Sequence, residues 1–356
     1  MHICIIIDRL DFGGAERVAI TLAHSLLRSG HNITIVTIDP IVNIDVDKDI
    51  NLHTLNFEKK WNKYMYNRKK MYRLLDSIEK EEGTFDLILV HLYLSSRIMK
   101  KYQHPACYHI VHSTQSKSAL KNKVGFARLK AKFKIQQVYN KLNLICVSHG
   151  VQNDLLNTMN IKPSSTQVIY NPFDIKEISL KALEKVHIPA TPYIIFVGRL
   201  VKEKRIDYLL HAYAKSNITQ KLLILGDGEE LKNLKLLTQT LNLMDKVDFH
   251  SAVKNPYPFI AHADFLILSS LYEGLPTVLI EALILQTPIL STNCPSGPKE
   301  IMKFYTMDAL VDDNFNINAL SSKINEWAKV REPVKKDAMN TFDTEYISKI
   351  YLDLIK

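Results

Sequence analysis

Two glutamates, Glu273 and Glu281, are the residues of this chain best suited to chemistry, and seven residues separate them. Between them, Gly274-Leu275-Pro276-Thr277 follows an apolar run typical of a strand and opens a run typical of a helix. Gly274 allows a ligand to approach the backbone, and Pro276 suits the first helical turn. A helix start presents free amide donors and positive dipole charge. The segment therefore predicts a phosphate site with a carboxylate on either side.

This arrangement fits an elongated ligand that has hydroxyls at both ends and a diphosphate between them, which is the shape of a nucleotide diphosphate-sugar. The alternative is that both acids are surface residues beside an ordinary helix. Glu281, however, interrupts the apolar run Val278-Leu279-Ile280 and Ala282-Leu283. A charge in such a run needs a partner, which favours binding.

A second candidate site begins at Gly198, directly after the first strand-like run of the second half of the chain. Arg199 and Lys204 follow it, and both are expected at the carboxyl end of that strand. Two cations there could neutralise a diphosphate leaving group without a metal ion. The alternative is that both decorate a surface loop.

In the first half, Gly13 and Gly14 stand between the first strand-like run and an amphipathic helix from Ala15 to Leu27. They could let a donor phosphate or sugar approach the backbone, or they could form only a tight turn. The pair does not match G-x-G-x-x-G, so a dinucleotide cofactor is disfavoured. His112 ends another strand-like run and is a candidate for the sugar and acceptor site. His91 ends a neighbouring run and is a weaker candidate.

Neither the histidines nor the cysteines predict a metal site, because neither set shows ligand spacing. Asp45-Val46-Asp47 resembles a D-x-D metal motif, but it lies in an acidic loop and is expected to be solvated. The four cysteines are scattered and none forms a C-x-x-C pair, which is typical of a reducing cytoplasm.

Apolar strand-like runs alternate with helical patterns along the whole chain, which predicts parallel α/β sheets. A length of 356 residues favours two domains. We expect residues 1–172 to form one doubly wound domain, joined by a helix at about 341–356 that crosses back. We expect residues 173–340 to form the other, with ligands bound in a cleft at the carboxyl ends of the strands.

The first half carries the net charge of +9, with 25 Lys and Arg against 16 Asp and Glu in residues 1–180. No acidic residue occurs between Asp86 and Asp154. An earlier cluster mixes Lys59, Lys60 and Lys63 with Trp61. We interpret this charge as adhesion to an anionic membrane face or a phosphorylated acceptor, although a solvated helix surface is the alternative. No nucleic-acid recognition module accompanies it.

A membrane-spanning segment is not predicted, because the longest apolar stretches are strand-sized. The run from His2 to Ile7 lacks a preceding basic region and reads as a first strand rather than a signal peptide. We therefore expect a cytoplasmic protein that is peripheral on the inner face of the cytoplasmic membrane.

Taken together, the motifs resemble retaining glycosyltransferase family 4, which has the GT-B fold of two facing Rossmann-like domains. The resemblance runs through nearly the whole chain and is most specific in its order. It rests on Phe12-Gly13-Gly14-Ala15-Glu16-Arg17, Val147-Ser148, Val168-Ile169-Tyr170-Asn171-Pro172, Val197-Gly198-Arg199-Leu200 with Lys204, Gly226-Asp227-Gly228, Ser270 through Glu281, and Ser296-Gly297-Pro298-Lys299-Glu300. The nearest likeness is to bacterial enzymes that extend lipopolysaccharide cores or lipid-linked glycans.

The resemblance implies roles for individual residues. Arg199 and Lys204 would hold the donor diphosphate, and Glu281 would bind the ribose. Glu273 would contact the transferred sugar, while Thr277 and nearby amides would cap the distal phosphate. His112 would line the sugar and acceptor site. A departure from the family is Arg205, which stands where the family often has Gly.

The leading hypothesis is a metal-independent transferase that needs no cofactor beyond its nucleotide-sugar co-substrate, with UDP favoured by resemblance. It would move a hexose or N-acetylhexosamine to a glycolipid or lipid-linked oligosaccharide in lipopolysaccharide, capsule or lipid-linked glycan synthesis. A nucleotide-sugar epimerase of the same fold is a second hypothesis. A nucleotide-sugar-binding partner without turnover is a third.

Overall fold

The structure is a computed structural model that describes residues 1–11, 13–58, 63–121, 123–312, 315–329 and 332–355. Phe12 of the glycine motif, and Lys59, Lys60 and Trp61 of the basic cluster, lie outside the described residues. The side chain of Lys63 is not described either.

Thirteen strands form in the described part of the chain, as the apolar strand-like runs led us to expect of a parallel α/β protein. They are β1 (His2–Ile7), β2 (Asn32–Thr37), β3 (Asn51–Thr54), β4 (Leu87–His91), β5 (Cys107–Val111), β6 (Asn143–Cys146), β7 (Ser165–Val168), β8 (Tyr193–Val197), β9 (Lys221–Leu225), β10 (Val247–His250), β11 (Leu266–Leu268), β12 (Ile289–Thr292) and β13 (Leu310–Val311). The two-residue strand β13 was not predicted, because so short a run carries no periodic signal.

The helices follow the strands in alternation. They are α1 (Gly14–Arg28), α2 (Lys63–Glu82), α3 (Tyr93–Met99), α4 (Gln115–Ala119), α5 (Gly125–Tyr139), α6 (His149–Asn153), α7 (Ile175–Lys181), α8 (Ile206–Lys215), α9 (Leu231–Thr240), α10 (Tyr257–Ala261), α11 (Thr277–Ile284), α12 (Gly297–Met302), α13 (Ile317–Trp327) and α14 (Thr344–Leu352).

The chain divides into two compact units, and the first holds Met1–Phe173 together with Phe342–Lys356. Its seven strands pair in parallel in the order β3-β2-β1-β4-β5-β6-β7. All six residues of β1 are buried, as expected for a central strand with helices on both faces. The strand order reverses between β1 and β4, so this is the point where a doubly wound sheet binds ligands.

The second unit holds Asp174–Thr341, and its six strands pair in parallel in the order β10-β9-β8-β11-β12-β13. The order reverses between β8 and β11, which are paired through Ile195 and Leu266. The prediction of two doubly wound parallel sheets is therefore confirmed.

Residues 171–192, around the boundary between the two units, are only partly extended, because α7 occupies Ile175–Lys181. The carboxylate of Asp174 caps this helix by accepting a hydrogen bond from the Glu177 amide at 2.9 Å. Phe173 pairs with the chain before α14 through backbone hydrogen bonds to Phe342 and Thr344. Helix α14 then packs against α1, where the hydroxyls of Ser25 and Ser348 are 2.9 Å apart.

Among the described residues, no helix combines the length and the apolar character that a bilayer crossing requires.

Candidate functional site

The site in the second unit forms where two neighbouring strands end at the reversal of strand order. Gly198 and Arg199 follow β8, and the segment from Ser269 to Glu273 follows β11. Because parallel strands end at the same sheet edge, these loops are neighbours although 69 residues of chain lie between Arg199 and Ser269. The sequence predictions for Gly198, Arg199 and Glu273 thus fall at one edge of one sheet.

Lys204 and Glu273 form the central contact of this site. The Lys204 ammonium lies 2.6 Å from Oε1 of Glu273, and the side chains are 22% and 12% exposed. The Ser270 hydroxyl donates to the same oxygen at 2.6 Å. Charge-assisted hydrogen bonds of this length fix the carboxylate in one orientation. Oε1 is therefore engaged by two donors.

The two loops are also held together through the backbone. The Leu271 amide donates to the Glu203 carbonyl at 2.7 Å, and the Ser269 hydroxyl donates to the Lys204 carbonyl at 2.8 Å. The main chain thus fixes the spacing between the lysine and the glutamate, so the ion pair does not have to do so.

The loop from Glu273 to Pro276 is supported from behind by the connection between β12 and α12. The amide of Gly297 and the hydroxyl of Ser296 both donate to the Gly274 carbonyl at 2.9 Å. A Cβ atom on Gly297 would lie 2.6 Å from both the Gly274 oxygen and Pro276 Cδ. Ser296 has φ 86° and ψ −129°, a strained conformation for a residue with a side chain. The close packing of these two loops therefore requires glycine at position 297 and the strained backbone at Ser296.

Helix α11 begins at Thr277, with extended Pro276 as the residue before it. The expectation that Pro276 lies in the first helical turn is therefore wrong by one residue, because its ψ of 104° is not helical. Gly274, Leu275 and Pro276 are buried and Thr277 is half-buried. Glu281 is the fifth residue of the helix and only 7% exposed. The Leu279 amide donates to the Pro276 carbonyl at 3.2 Å, and the first amides of a helix are in general suited to a phosphate.

Arg199 is exposed at the end of β8. Nearby, Arg205 adopts the left-handed conformation, with φ 48° and ψ 43°. The departure from the family Gly at this position thus carries a backbone cost, because left-handed geometry favours glycine. The Arg205 guanidinium lies 4.6 Å from the centroid of the Phe315 ring and hydrogen-bonds Asp207. These contacts offset part of that cost.

Cys294 is buried beside the ion pair. Burial raises the pKa of its thiol well above the ordinary value, and the Glu273 carboxylate raises it further while Lys204 opposes this. The thiol is therefore neutral and unreactive at neutral pH. Cys294, which follows β12, thus lies within electrostatic range of both Glu273 and Lys204.

In the first unit, the reversal of strand order between β1 and β4 gathers a second polar cluster. Oδ1 of Asp8 accepts hydrogen bonds from the Ser95 amide at 2.8 Å and the Ser95 hydroxyl at 2.6 Å. Burial raises the pKa of Asp8, and the Ser95 hydrogen bonds oppose the rise. Between β4 and α3, Leu92 is held at φ 69°. Strained backbone of this kind is common at functional sites.

His112 belongs to this cluster. Its Nε2 lies 3.0 Å from Nδ1 of His91, and the two rings stack with centroids 5.1 Å apart. Burial lowers the pKa of His112 to about 4, and burial together with His112 lowers the pKa of His91 well below its ordinary value. Both rings are therefore neutral at neutral pH, so one ring donates this hydrogen bond and the other accepts it.

The turn at Gly13 and Gly14 lies in acidic surroundings. The Glu16 side chain folds back over it, so that a Cβ atom on Gly13 would lie 2.2 Å from Oε2 of Glu16. Burial raises the pKa of Glu16, and the neighbouring Asp11 and Asp8 raise it further. A turn surrounded by carboxylates suits sugar hydroxyls better than a phosphate.

Among the described residues, no group of three or more His, Cys, Asp or Glu side chains could hold a metal ion. Asp45 and Asp47 of the D-x-D sequence are exposed. Oδ1 of Asp47 accepts from the Asp49 amide at 3.0 Å, as in an ordinary loop. A cavity of about 360 Å³ is lined by residues such as Cys107 and Asn143, at the amino ends of β5 and β6 and away from the polar clusters.

Comparison with protein families gives two matches that follow the two halves of the chain. Residues 12–177 match the family described as Glycosyltransferase Family 4, and residues 181–341 match Glycosyl transferases group 1. The matches cover nearly the whole chain in the expected order. The first half of the chain is therefore a Glycosyltransferase Family 4 domain, and the second half is a Glycosyl transferases group 1 domain. The family predicted from the motifs is thereby confirmed.

Two curated relatives are bacterial family members. The N-acetylgalactosamine-N,N'-diacetylbacillosaminyl-diphospho-undecaprenol 4-alpha-N-acetylgalactosaminyltransferase of Campylobacter jejuni is 34% identical over 209 residues, which are 58% of this chain and 57% of the relative. The lipopolysaccharide 1,6-galactosyltransferase of Escherichia coli is 29% identical over 165 residues, 45% of either chain. The matched regions thus span about half the length of these relatives.

Among solved structures, HepE from Anabaena in complex with UDP and glucose superposes with a TM-score of 0.73. It is 16% identical in sequence, and the match covers 99% of this chain and 98% of HepE. At this identity the likeness concerns the fold, and it agrees with the GT-B fold class expected from the sequence.

The structure thus brings Lys204 and Glu273 into direct contact and places Gly274 to Thr277 at the start of α11. Ser270, Ser296 and Ser95 were not predicted to be functional residues. Ser270 directly follows a buried strand, and a serine at such a strand end is a usable signal. Ser95 carried no such signal, because its contact with Asp8 depends on the pairing of β1 with β4.

Proposed function

We propose that this protein transfers a hexose or N-acetylhexosamine from a nucleotide diphosphate-sugar, with UDP as the nucleotide, to a hydroxyl of a membrane-associated glycan. The observation that carries the proposal is the contact of Lys204 and Glu273 at the reversal of strand order, next to the start of α11. A cation, a carboxylate and free helix amides together match the charge pattern of a sugar diphosphate.

Glu281 is assigned to the ribose hydroxyls, because a buried carboxylate one turn into α11 is suited to accepting hydrogen bonds. Arg199, Lys204 and the amides at Thr277 are assigned to the diphosphate. At Gly198 and in the Gly274–Pro276 loop, the ligand can approach the backbone closely. Glu273 is assigned to the transferred sugar through Oε2, since Oε1 already accepts from Lys204 and Ser270.

In the reaction, the bond between the sugar C1 and the diphosphate oxygen breaks and both electrons leave with the diphosphate. Arg199 and Lys204 stabilise that charge, so a metal ion is not required for departure. An acceptor oxygen forms the new bond to C1 from the same face, and its proton passes to the departing phosphate oxygen. This gives retention of configuration.

Glu273 is not assigned as a covalent nucleophile. The hydrogen bonds from Lys204 and Ser270 to Oε1 withdraw electron density from the whole carboxylate and make Oε2 a weaker nucleophile, but the negative charge still stabilises the positive charge that develops on the sugar ring. This role explains why Glu273 is fixed by Lys204 and Ser270 rather than left free to attack.

The first unit is assigned to the acceptor and the outer part of the sugar. His112 contributes a neutral ring held by His91, and the Gly13–Gly14 turn offers backbone to hydroxyls. The acceptor class follows the relatives, whose named reactions use a diphospho-undecaprenol-linked glycan or lipopolysaccharide. Such an acceptor places the protein at the inner face of the cytoplasmic membrane.

The test is a donor screen by thermal shift followed by mass spectrometry of the acceptor. UDP-sugars are incubated with undecaprenyl diphosphate-linked and lipopolysaccharide-core glycans. The proposal predicts one added sugar for each nucleotide diphosphate released. Conversion of the sugar on the intact nucleotide would show an epimerase instead. Binding without nucleotide release across the whole acceptor panel would show a non-catalytic partner.

A further inference from the structure

Helix α5 carries an apolar stripe that no described part of the protein covers. Phe126, Leu129 and Phe133 are 81%, 66% and 58% exposed, and Val124, just before the helix, is 82% exposed. The three helical residues are spaced i, i+3 and i+7, so they lie on one side of the helix. We call these four residues the α5 stripe.

The opposite side of the same helix makes its ordinary contacts with the domain. Ile135, Val138 and Tyr139 are only 7%, 3% and 1% exposed. The helix therefore has two apolar sides, one packed and one open. The open side is not needed for the fold, because residues 123–130 are all exposed and only the second half of the helix reaches the core.

Basic side chains border the α5 stripe. Lys130 and Lys134 are exposed along one edge of it. Lys123, just before the helix, and Arg128, on the side of the helix away from the stripe, are exposed as well. Lys132, on the other edge, donates to the Thr158 carbonyl at 2.8 Å. No acidic residue occurs from 87 to 153, so nothing in this stretch neutralises these charges.

We propose that the α5 stripe is a membrane-docking surface that inserts into the interface of an anionic lipid bilayer. An exposed helix with aromatic and leucine side chains in a row and lysines along the edge is the pattern of interfacial helices. The lysines meet the lipid phosphates while the rings enter the acyl boundary. Arginine and lysine alone would bind any polyanion, but the apolar row selects a lipid surface.

A second copy of the chain is a poorer occupant for the same reason. Two α5 stripes facing each other would bring Lys130 and Lys134 against the same residues of the other copy, and like charges at an interface oppose association. The proposal rests on the proposed function for the membrane location and adds the surface that makes the contact, while docking to lipid itself requires neither donor nor acceptor.

The test measures sedimentation of the full-length protein with vesicles in the absence of any sugar nucleotide. Binding is expected to vesicles that contain phosphatidylglycerol and to be at least tenfold weaker with phosphatidylcholine alone. The double change Phe126→Ser and Phe133→Ser is expected to reduce binding at least tenfold. Leu236→Ser is the matched control, because Leu236 is 63% exposed on α9 of the other unit. It is expected to bind as the wild type does.

Two further variants measure the insertion of the α5 stripe into the bilayer and the contribution of its lysines separately. The variant Phe126→Trp is expected to shift its emission to the blue with anionic vesicles and to be quenched by brominated acyl chains. Exchange of Lys130 and Lys134 for Glu is expected to abolish the preference for phosphatidylglycerol. Donor binding by thermal shift is expected to be the same for all variants, which separates this proposal from the proposed function.

Wild-type binding to vesicles by the double-serine variant would overturn the proposal. So would absence of vesicle binding by the wild type. Conversion of a wild-type dimer to a monomer by the double change, with vesicle binding unaltered, would assign the α5 stripe to self-association and would equally overturn it.

Discussion

Lys204 and Glu273 are joined by a hydrogen bond of 2.6 Å between Nζ and Oε1, although they lie in loops that follow different strands. The two loops are joined by the Leu271–Glu203 and Ser269–Lys204 hydrogen bonds, so the pair is preformed. A bound sugar diphosphate would draw the lysine towards phosphate while Ser270 keeps the carboxylate in place. The pair therefore marks where the diphosphate ends and the sugar begins.

The first prediction concerns the lysine. Lys204→Met removes one of two cations assigned to the diphosphate, so the Kd for the nucleotide diphosphate-sugar is expected to rise about 10- to 100-fold, since charge-assisted bonds contribute about 1.5–3 kcal/mol. Isothermal titration calorimetry measures this. Lys202→Met is the control, because the Lys202 side chain is 72% exposed and its ammonium lies 4.0 Å from Glu230 rather than against Glu273. Equal affinities of the two variants would remove Lys204 from the site.

Glycine at position 297 is predicted to be indispensable. Gly297→Ala would place Cβ within 2.7 Å of three atoms of the Gly274–Pro276 segment. The loop must shift, so transfer is expected to fall at least tenfold, with a loss of about 1–3 kcal/mol in stability. Gly30→Ala serves as the control, because Gly30 has positive φ but no atom within 4 Å of its Cβ position. That variant should lose stability only. Normal transfer by Gly297→Ala would show that the loop need not be fixed.

The buried histidines predict how stability depends on pH. Burial lowers the pKa of His109 to about 3 and that of His91 well below the ordinary 6.5. Between pH 6.5 and these lower values the unfolded chain binds protons that the native protein does not. The contribution of these histidines to the free energy of unfolding is therefore fully present above pH 6.5. It falls as pH decreases, by about 1.4 kcal/mol per pH unit for each buried histidine.

Chemical denaturation from pH 5.0 to 7.5 measures this slope, in a range where most carboxylates stay ionised. His109→Leu is expected to reduce the slope of the unfolding free energy against pH by about 1.4 kcal/mol per pH unit, the amount that one proton contributes. The sign of the slope is expected to stay the same. A free energy of unfolding that does not vary across this range would contradict the assignment.

The last helix is predicted to stabilise the first unit. Tyr351 is 2% exposed in α14, whereas Tyr346 in the same helix is 52% exposed. Tyr351→Ala is expected to cost about 3–5 kcal/mol, and Tyr346→Ala less than about 0.5 kcal/mol. Thermal unfolding compares the pair. Removal of residues 343–356 should lower the melting temperature at least as far as Tyr351→Ala, and unchanged melting would count against the packing role.

Periodicity in the sequence was enough for the sheets, because parallel strands buried on both faces read as continuous apolar runs. It also located Gly274 to Thr277, since a strand followed by a helix start has a local signature. From the sequence, Lys204 and Glu273 could only be expected to lie at the same sheet edge, and their direct contact could not be predicted. Its distance depends on the pairing of β8 with β11, which no local pattern encodes.

Other features could not be found from sequence for definite reasons. The left-handed backbone of Arg205 and Ser296 leaves no trace in residues that usually avoid it. The hydrogen bond between His91 and His112 depends on the lateral pairing of β4 with β5. The exposed apolar side of α5 could not be predicted, because a helix with two apolar sides shows no single amphipathic face in its sequence.

The most direct test of the account is the rate of sugar transfer by Glu273→Gln. This change keeps the shape of the side chain but removes the charge assigned to the sugar ring. We predict that affinity for the nucleotide diphosphate-sugar stays within a few-fold while transfer to the lipid-linked acceptor falls at least 100-fold, or about 2.7 kcal/mol in activation free energy. Glu229→Gln, at an exposed position in the same unit, should transfer normally. Wild-type transfer by Glu273→Gln would contradict the account.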